Sequence, residues 1–392
     1  MIGFSLTQEQ KELKDSVRNF VRKEIMPKTL VLDHKTNPED CFSWEIIGKL
    51  SALGLRTFML PAKESPADAL TSIILLEELA YGDIGIAIAL GQTWKVTRLI
   101  MKHGTPVQKE KFLADFYSDT RFLLAIAITE PDFSSDYILP YGKSGGPGLA
   151  ANFHGDFWRL NGTKHFIANG GTASLYAVFA KTKRSKDFRN GTTAFLVPRN
   201  SPGFSIGRIH DKSGKRLITN AELIFNNCYV PVENQLGDLH RGYEILTNFF
   251  PLSNAYAGAE AIGLARRIYD ESVKWAKVRV QGGKPIIGHQ SVGVMLSEMK
   301  MLIDASRAYV WQTAWSAETP EYFDPTFIPL ANVFTSRMVM RVAELALEIH
   351  GGYGMMREME IEKLFRDAAM CLHSDGANNT LLLKALDFIK KV

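Results

Sequence analysis

The stretch FLLAIAITEPDFSSD, Phe122 to Asp136, is where the reading of this chain turns. FLLAIAI is a short apolar run, and the TEPDFSSD behind it is a cluster of turn residues. Upstream, Leu13, Val17, Phe20, Val21 and Ile25 recur at helical spacing, and SIILLEELAYGDIGIAIALGQTW reads as helices buried in a bundle. Downstream lie FWRLNG, KHFIANGG, LYAVFAKT, TTAFLVP and AELIFNNCYVP, rich in aromatic and β-branched residues and punctuated by Gly, Asn and Pro. They predict an antiparallel β-domain. From about Gly237 helical periodicity returns and lasts to Val392. Helices, strands, then long helices is a segregated α+β order, without the βαβ alternation of a parallel nucleotide-binding sheet. The expected units are an N-terminal helical domain over 1–124, a middle β-domain over 125–235 and a C-terminal helical bundle over 236–392.

At 392 residues the chain exceeds one simple core. Its 46% hydrophobic and 22% charged residues are ordinary for a globular protein, and the net charge is only +4. The densest basic run, KTKRSKDFR (Lys181 to Arg189), falls between strand-like segments and reads as a solvated hairpin; no nucleic acid is expected as partner. Cys41, Cys228 and Cys371 lie far apart without CxxC spacing, which fits a reducing compartment. Neither HExxH nor a tight His/Cys cluster is present, so no metal is expected. GKSGGPG, Gly142 to Gly148, lacks GxGxxG spacing and reads as a surface loop. No apolar run reaches the ~20 residues of a membrane span, and MIGFSLTQEQ leads straight into a helix that Thr7 and Gln10 can cap. The expectation is a soluble intracellular protein: cytoplasmic, or of the mitochondrial matrix if eukaryotic.

Four short signals remain: AITEPDFSSD, LNGTKHFIANG, IHGGYG and HSDGANN. Each has a bland reading as a strand cap, hairpin corner, helix break or turn. Asp375-Gly376 in particular is among the commonest turn pairs. Together, in this order, they resemble the acyl-CoA dehydrogenase family of flavoproteins. ELAYGDIG, HGTPVQKEKFL, YVPVENQLGD, AIGLARRIYDESVKWAKVRVQGGKPIIGHQSV and IEKLFRDA extend the resemblance over nearly the whole chain. It implies a helical–β–helical subunit ending in a four-helix bundle, noncovalent FAD, and a tetramer built from dimers.

The resemblance also implies chemistry. The family removes the proton beside a thioester carbonyl with a carboxylate, while hydride leaves the neighbouring carbon for flavin N5. Electrons then pass to an electron-transfer flavoprotein. The place of the family's glutamate–glycine pair is taken here by Asp375 and Gly376, so Asp375 is the candidate base, one methylene shorter than usual. A water-poor pocket is expected around it, because desolvation raises basicity. Family positions at the isoalloxazine fall on Ile126, Ile128, Thr129, Phe166, Ile167 and Ala168; Phe166 replaces a tryptophan and Ala168 a threonine. Ser134 and Ser135 match the serine-bearing turn serving the pyrophosphate or the acyl thioester. Arg279 and Gln281 match residues that a neighbouring subunit lends to FAD phosphates, and Gly351 and Gly352 a close approach to the cofactor. Glu348 replaces a glutamine, Ala377 a threonine and Asn379 a glutamine. Ala87, Ile88 and Gly91 are expected to face the acyl group. Asn254 and Pro251 stand where the family's arginine and acidic residue contact CoA, which makes a carrier-bound thioester a competing substrate. An oxidase or monooxygenase of the same fold, and a degenerate scaffold protein, are the alternative functions.

Overall fold

The computed structural model describes residues 5–60, 68–139, 146–185 and 187–391. Most of the GKSGGPG loop therefore lies outside the described residues. The first third is helical: α1 (Gln8–Phe20), α2 (Thr29–Asp33), α3 (Trp44–Ala52), α4 (Ala69–Gly82), α5 (Ile84–His103) and α6 (Pro106–Ser118). Thr7 caps α1 with Gln10 in a reciprocal capping box, as its spacing requires. One aspartate, Asp83, separates α4 from α5: its own amide closes α4 and its side chain accepts from Ile86 N to open α5.

The strands follow: β1 (Leu124–Ala127), β2 (Ala150–Phe153), β3 (Phe157–Ala168), β4 (Leu175–Lys181), β5 (Thr192–Pro198), β6 (Phe204–Ile209), β7 (Asn220–Pro231) and β8 (Gln235–Leu236). They form one sheet in the order β6-β7-β3-β2-β4-β5-β8, with β1 against β4. The pairing is antiparallel except at one seam, where β4 runs parallel to β1 and meets β2 at a single parallel pair. FLLAIAI thus supplies a strand buried at all four residues of β1, which suits an apolar run without alternation.

The last part is α7 (Gly242–Val278), a hairpin of β9 (Val280–Gln281) and β10 (Lys284–Pro285), then α8 (Gln290–Ala317), α9 (Phe327–His350), α10 (Glu360–Ala369) and α11 (Asn378–Ile389). α7 is the spine: it touches α4 and α5 of the first unit and α8, α9 and α10 of its own. Ile73, Leu76, Ile262, Ala265, Val339 and Val342 belong to one continuous core across these helices. Charges bind the same interface. Glu77 and Glu78 of α4, almost fully buried, meet Arg266 of α7, and Glu77 also meets Arg307 of α8. Pairing of this kind lets carboxylates lie between helices without leaving buried charge uncompensated.

Candidate active site

The loop between α10 and α11 is fixed before its carboxylate does anything. Lys363 of α10 reaches Asp83 Oδ2 and Asp367 Oδ2, each at 2.7 Å, with all three side chains fully buried. Asp367 also accepts from the backbone amide of Lys215, whose Nζ donates to Ser374 Oγ at 2.8 Å. Asn332 of α9 donates to the Ser374 carbonyl. Asp375 then adopts φ 54° and Gly376 φ 115°. A Cβ on Gly376 would stand 2.8 Å from Ile138 Cδ1, so backbone conformation and space both demand glycine.

This geometry turns the Asp375 carboxylate toward α5 and α7. Lys95 Nζ donates to Asp375 Oδ2 at 2.8 Å, and Ser253 Oγ donates to the same oxygen at 2.7 Å. Among the described residues, Oδ1 has no hydrogen-bond donor. Asn254 donates to the Asp375 carbonyl at 3.3 Å, and Ala377 N reaches Ser135 Oγ at 3.5 Å. Tyr137, stacked on Phe250, has its hydroxyl pushed well up by burial and by the charge of Asp375. Asp375 therefore sits in a built site, and the simple exposed-turn reading does not describe it.

The water-poor pocket expected around the base is part open: the Asp375 side chain is 22% exposed and carries Lys95 as counter-ion. Ala87 and Gly91, expected to face the acyl group, lie instead within the helical packing. Ala87 is wholly buried in the helical core, and the space a Gly91 side chain would fill is taken by Glu260 Oε1, 3.0 Å from that Cβ position. Ile88 is half-buried against the same core. The α5 residue that reaches the site is Lys95, one turn beyond Gly91. It also lines a cavity of about 660 Å³ with Leu99, Phe249, Pro251 and Leu252. Asn254, expected at the substrate, is 1% exposed and spends its amide on the loop.

The expected flavin positions gather where β1 ends and β3 bulges. The Ile128 and Thr129 carbonyls accept from Lys164 Nζ and His165 N, both at 2.8 Å. The β3–β7 register slips between Lys164 and Ile167, and within that slip Phe166 takes φ 56° and stands 58% exposed, stacked on His165. A bulky aromatic in the left-handed region is an uncommon, strained conformation. Ile167 is buried, Ala168 pairs with Asn220, and Ser134 is exposed beside Ser135. Ile126, 8% exposed, and Ile128, 7% exposed, both belong to the apolar cluster under the sheet.

A second cavity, of about 730 Å³, unites Arg279, Gln281, Glu348, Gly351 and Gly352. Arg279 lies over the rings of Trp275 and Tyr353 at 6.0 and 5.3 Å. Among the described residues, a Cβ at Gly351 or Gly352 would meet nothing within 4 Å, and the buried Trp275 indole N–H has no acceptor. Ala377 and Asn379 flank the loop end instead, Asn379 exposed.

Strands segregated between helical units, with a carboxylate loop docked on the bundle's spine, define a three-part acyl-CoA dehydrogenase-type subunit. The comparisons agree over the full length. Family models for the acyl-CoA dehydrogenase N-terminal, middle and C-terminal domains match residues 7–120, 125–228 and 240–387. The short-chain-specific acyl-CoA dehydrogenase of Megasphaera elsdenii is 33% identical over 388 residues, covering 97% of this chain and 98% of the relative. The structure of butyryl-CoA dehydrogenase from that organism superposes with a TM-score of 0.90 at 32% identity, covering 99% and 100%. A prolyl acyl carrier protein oxidase superposes with a TM-score of 0.88 at 27% identity, covering 98% and 100%. The chain belongs to the acyl-CoA dehydrogenase family.

FAD is the cofactor of this family, and the residues present fit it: an arginine, two unobstructed glycines and an orphaned indole donor at one cavity, and an outward aromatic at the sheet. Among the described residues no helix is long and apolar enough to cross a membrane, and no cluster could hold a metal. Sequence reading missed Lys95, Ser253, Lys215 and Glu260. The signal for Lys95 and Glu260 was a lone charge in an apolar helical stretch, IALGQTWKV and AGAEAIGLA.

Proposed function

We propose that this chain dehydrogenates an acyl thioester, with Asp375 taking the proton beside the thioester carbonyl. One observation carries the reading: Asp375 meets Ser253 and Asn254 of α7, 122 and 121 residues earlier, while Ala377 of the same loop meets Ser135, 242 residues earlier. Both donors to the carboxylate fall on Oδ2, which leaves Oδ1 as the oxygen to receive the proton. FAD, when bound, supplies the acceptor for the hydride from the neighbouring carbon. Phe166, Ile167, Ala168, Ile128 and Thr129 are assigned to the ring, Ser134 and Ser135 to the thioester or pyrophosphate. Arg279, Gln281, Glu348, Gly351 and Gly352 are assigned to the distal cofactor half, and Ala377 and Asn379 to its approach.

Asn254, a third of the way along α7, and Arg279, its C-cap, are 25 residues apart, which is about 37 Å along a helix. That separation supports a cofactor site completed by a second subunit, hence a homo-oligomer. We assign an electron-transfer flavoprotein as acceptor and the cytoplasm as location; three free, buried cysteines fit a reducing compartment. The test is anaerobic bleaching of the bound flavin by a panel of acyl-CoAs and carrier-bound acyl groups. If none reduces it, the reading fails.

A second reading is oxidation of a carrier-bound acyl group. Asn254 favours it, because a buried amide committed to the loop offers CoA no cation. Fast reoxidation of the ligand-bound reduced flavin by air would select this reading over the dehydrogenase.

A further inference from the structure

Inside the α5–α7 interface a second carboxyl group lies beyond the site. Gly91 and Lys95 are one turn apart on α5, and Tyr256 and Glu260 are one turn apart on α7. Lys95 Nζ lies 5.8 Å from the centre of the Tyr256 ring, and Glu260 fills the space opposite Gly91. Glu260 is 4% exposed, and among the described residues its Oε1 has no hydrogen-bond partner. A buried, unpaired carboxylate is among the costliest groups a core can hold, so this one needs a reason.

Resting on the assignment of Asp375 as base, we propose that Glu260 is the partner carboxyl through which Lys95 stays compensated once Asp375 has taken the substrate proton. The titratable groups whose charge reaches Glu260 or feels it are Lys95 from α5, Asp375 and Cys371 from the loop after α10, Lys215 from the β6–β7 connection, and Tyr256 of its own helix. Burial pushes the Glu260 carboxyl up to about 7, Lys95 draws it down and the Asp375 charge raises it again. With Lys95 as the cation and Asp375 as the anion, a protonated Glu260 leaves the trio without net charge. When the substrate proton arrives on Asp375, the negative charge that raised Glu260 is gone while the pull of Lys95 persists. Glu260 then gives its proton to solvent, and the trio is neutral again. The substrate C–H pair remains on carbon as the double bond forms, and the hydride carries the second pair to FAD. Glu260 is in this sense a positioning residue for charge.

The experiment is an infrared titration of carboxylic-acid absorption in the FAD holoenzyme, for the parent, Glu260→Gln, Lys95→Met and Asp375→Asn. The parent should show a buried acid ionising near pH 7, missing in Glu260→Gln. It should move up in Lys95→Met and down in Asp375→Asn, each by about one pH unit. Flavin reduction by an acyl thioester should slow about tenfold in Glu260→Gln at unchanged KM, with loss of the inflection near pH 7. A parental signal that is absent, or that stays put in both Lys95→Met and Asp375→Asn, overturns the proposal even if Glu260→Gln fails to fold. If Asp375→Asn reduces flavin at the parental rate, the base assignment falls, while the infrared titration still decides the coupling.

Discussion

Ser253 Oγ donates to Asp375 Oδ2 at 2.7 Å, from a residue 122 positions earlier in the chain. The bond joins the spine helix α7 to the loop that carries the Asp375 carboxylate. It also sets which oxygen is free.

Asp375→Asn keeps the shape of the side chain but removes the proton acceptor. Flavin reduction by substrate should fall by about 10²–10⁴-fold, the usual worth of a positioned base. Stopped-flow bleaching measures it, and a parental rate would exclude Asp375. Asp375→Glu pushes the carboxylate into Lys95 and Ser253, so it should slow reduction by about a hundredfold and not restore a longer reach.

Ser253→Ala removes one of the two donors to Oδ2. A hydrogen bond to a charged group is worth about 1.5–3 kcal/mol. Reduction should slow at least tenfold with FAD content unchanged. An unaffected rate would show that Lys95 alone orients the carboxylate.

Gly352→Val introduces a side chain where nothing stands within 4 Å, on a backbone without positive φ. The fold should keep its stability within about 0.5 kcal/mol, as at an unobstructed surface. FAD affinity should fall at least tenfold, read by fluorescence of released cofactor. Arg279→Ala should weaken FAD similarly, through the lost guanidinium. Tight FAD binding in both variants would remove this cavity from the cofactor site.

Glu260 predicts a pH dependence of stability. Its carboxyl ionises near 4.5 when unfolded and at about 7 in the fold. Between those values the folded state holds the extra proton, so its contribution declines as pH rises from 4.5 and is lost above 7. Glu260→Gln escapes this decline. Relative to the parent it should gain on the order of 3 kcal/mol between pH 4.5 and 8, measured by urea unfolding. A gap that does not change with pH would mean that Glu260 is ionised throughout.

Lys363→Met leaves Asp83 and Asp367 buried without their cation. Removing one partner of a buried network costs about 3–5 kcal/mol. Because these carboxylates cap α5 and hold Lys215, activity should be lost along with thermal stability. Retention of both would show that the Asp375 loop is fixed without the network.

Periodicity alone placed the helices and strands, because 3.6- and 2-residue repeats are written locally in which side chains are apolar. FLLAIAI and the aromatic runs after it marked the strand unit, and Thr7 with Gln10 marked the start of α1. HSDGANN, read with its neighbours, pointed to Asp375. What no local pattern contains is the pairing of groups far apart in sequence. Lys95 lies 280 residues from Asp375, and Lys363 lies 280 residues from Asp83. Whether a lone lysine in an apolar helix is a neutralising partner or a misplaced charge depends on which carboxylate the packing brings within 3 Å. Burial, which sets the energetic weight of each such meeting, exists only once the helices have closed over it.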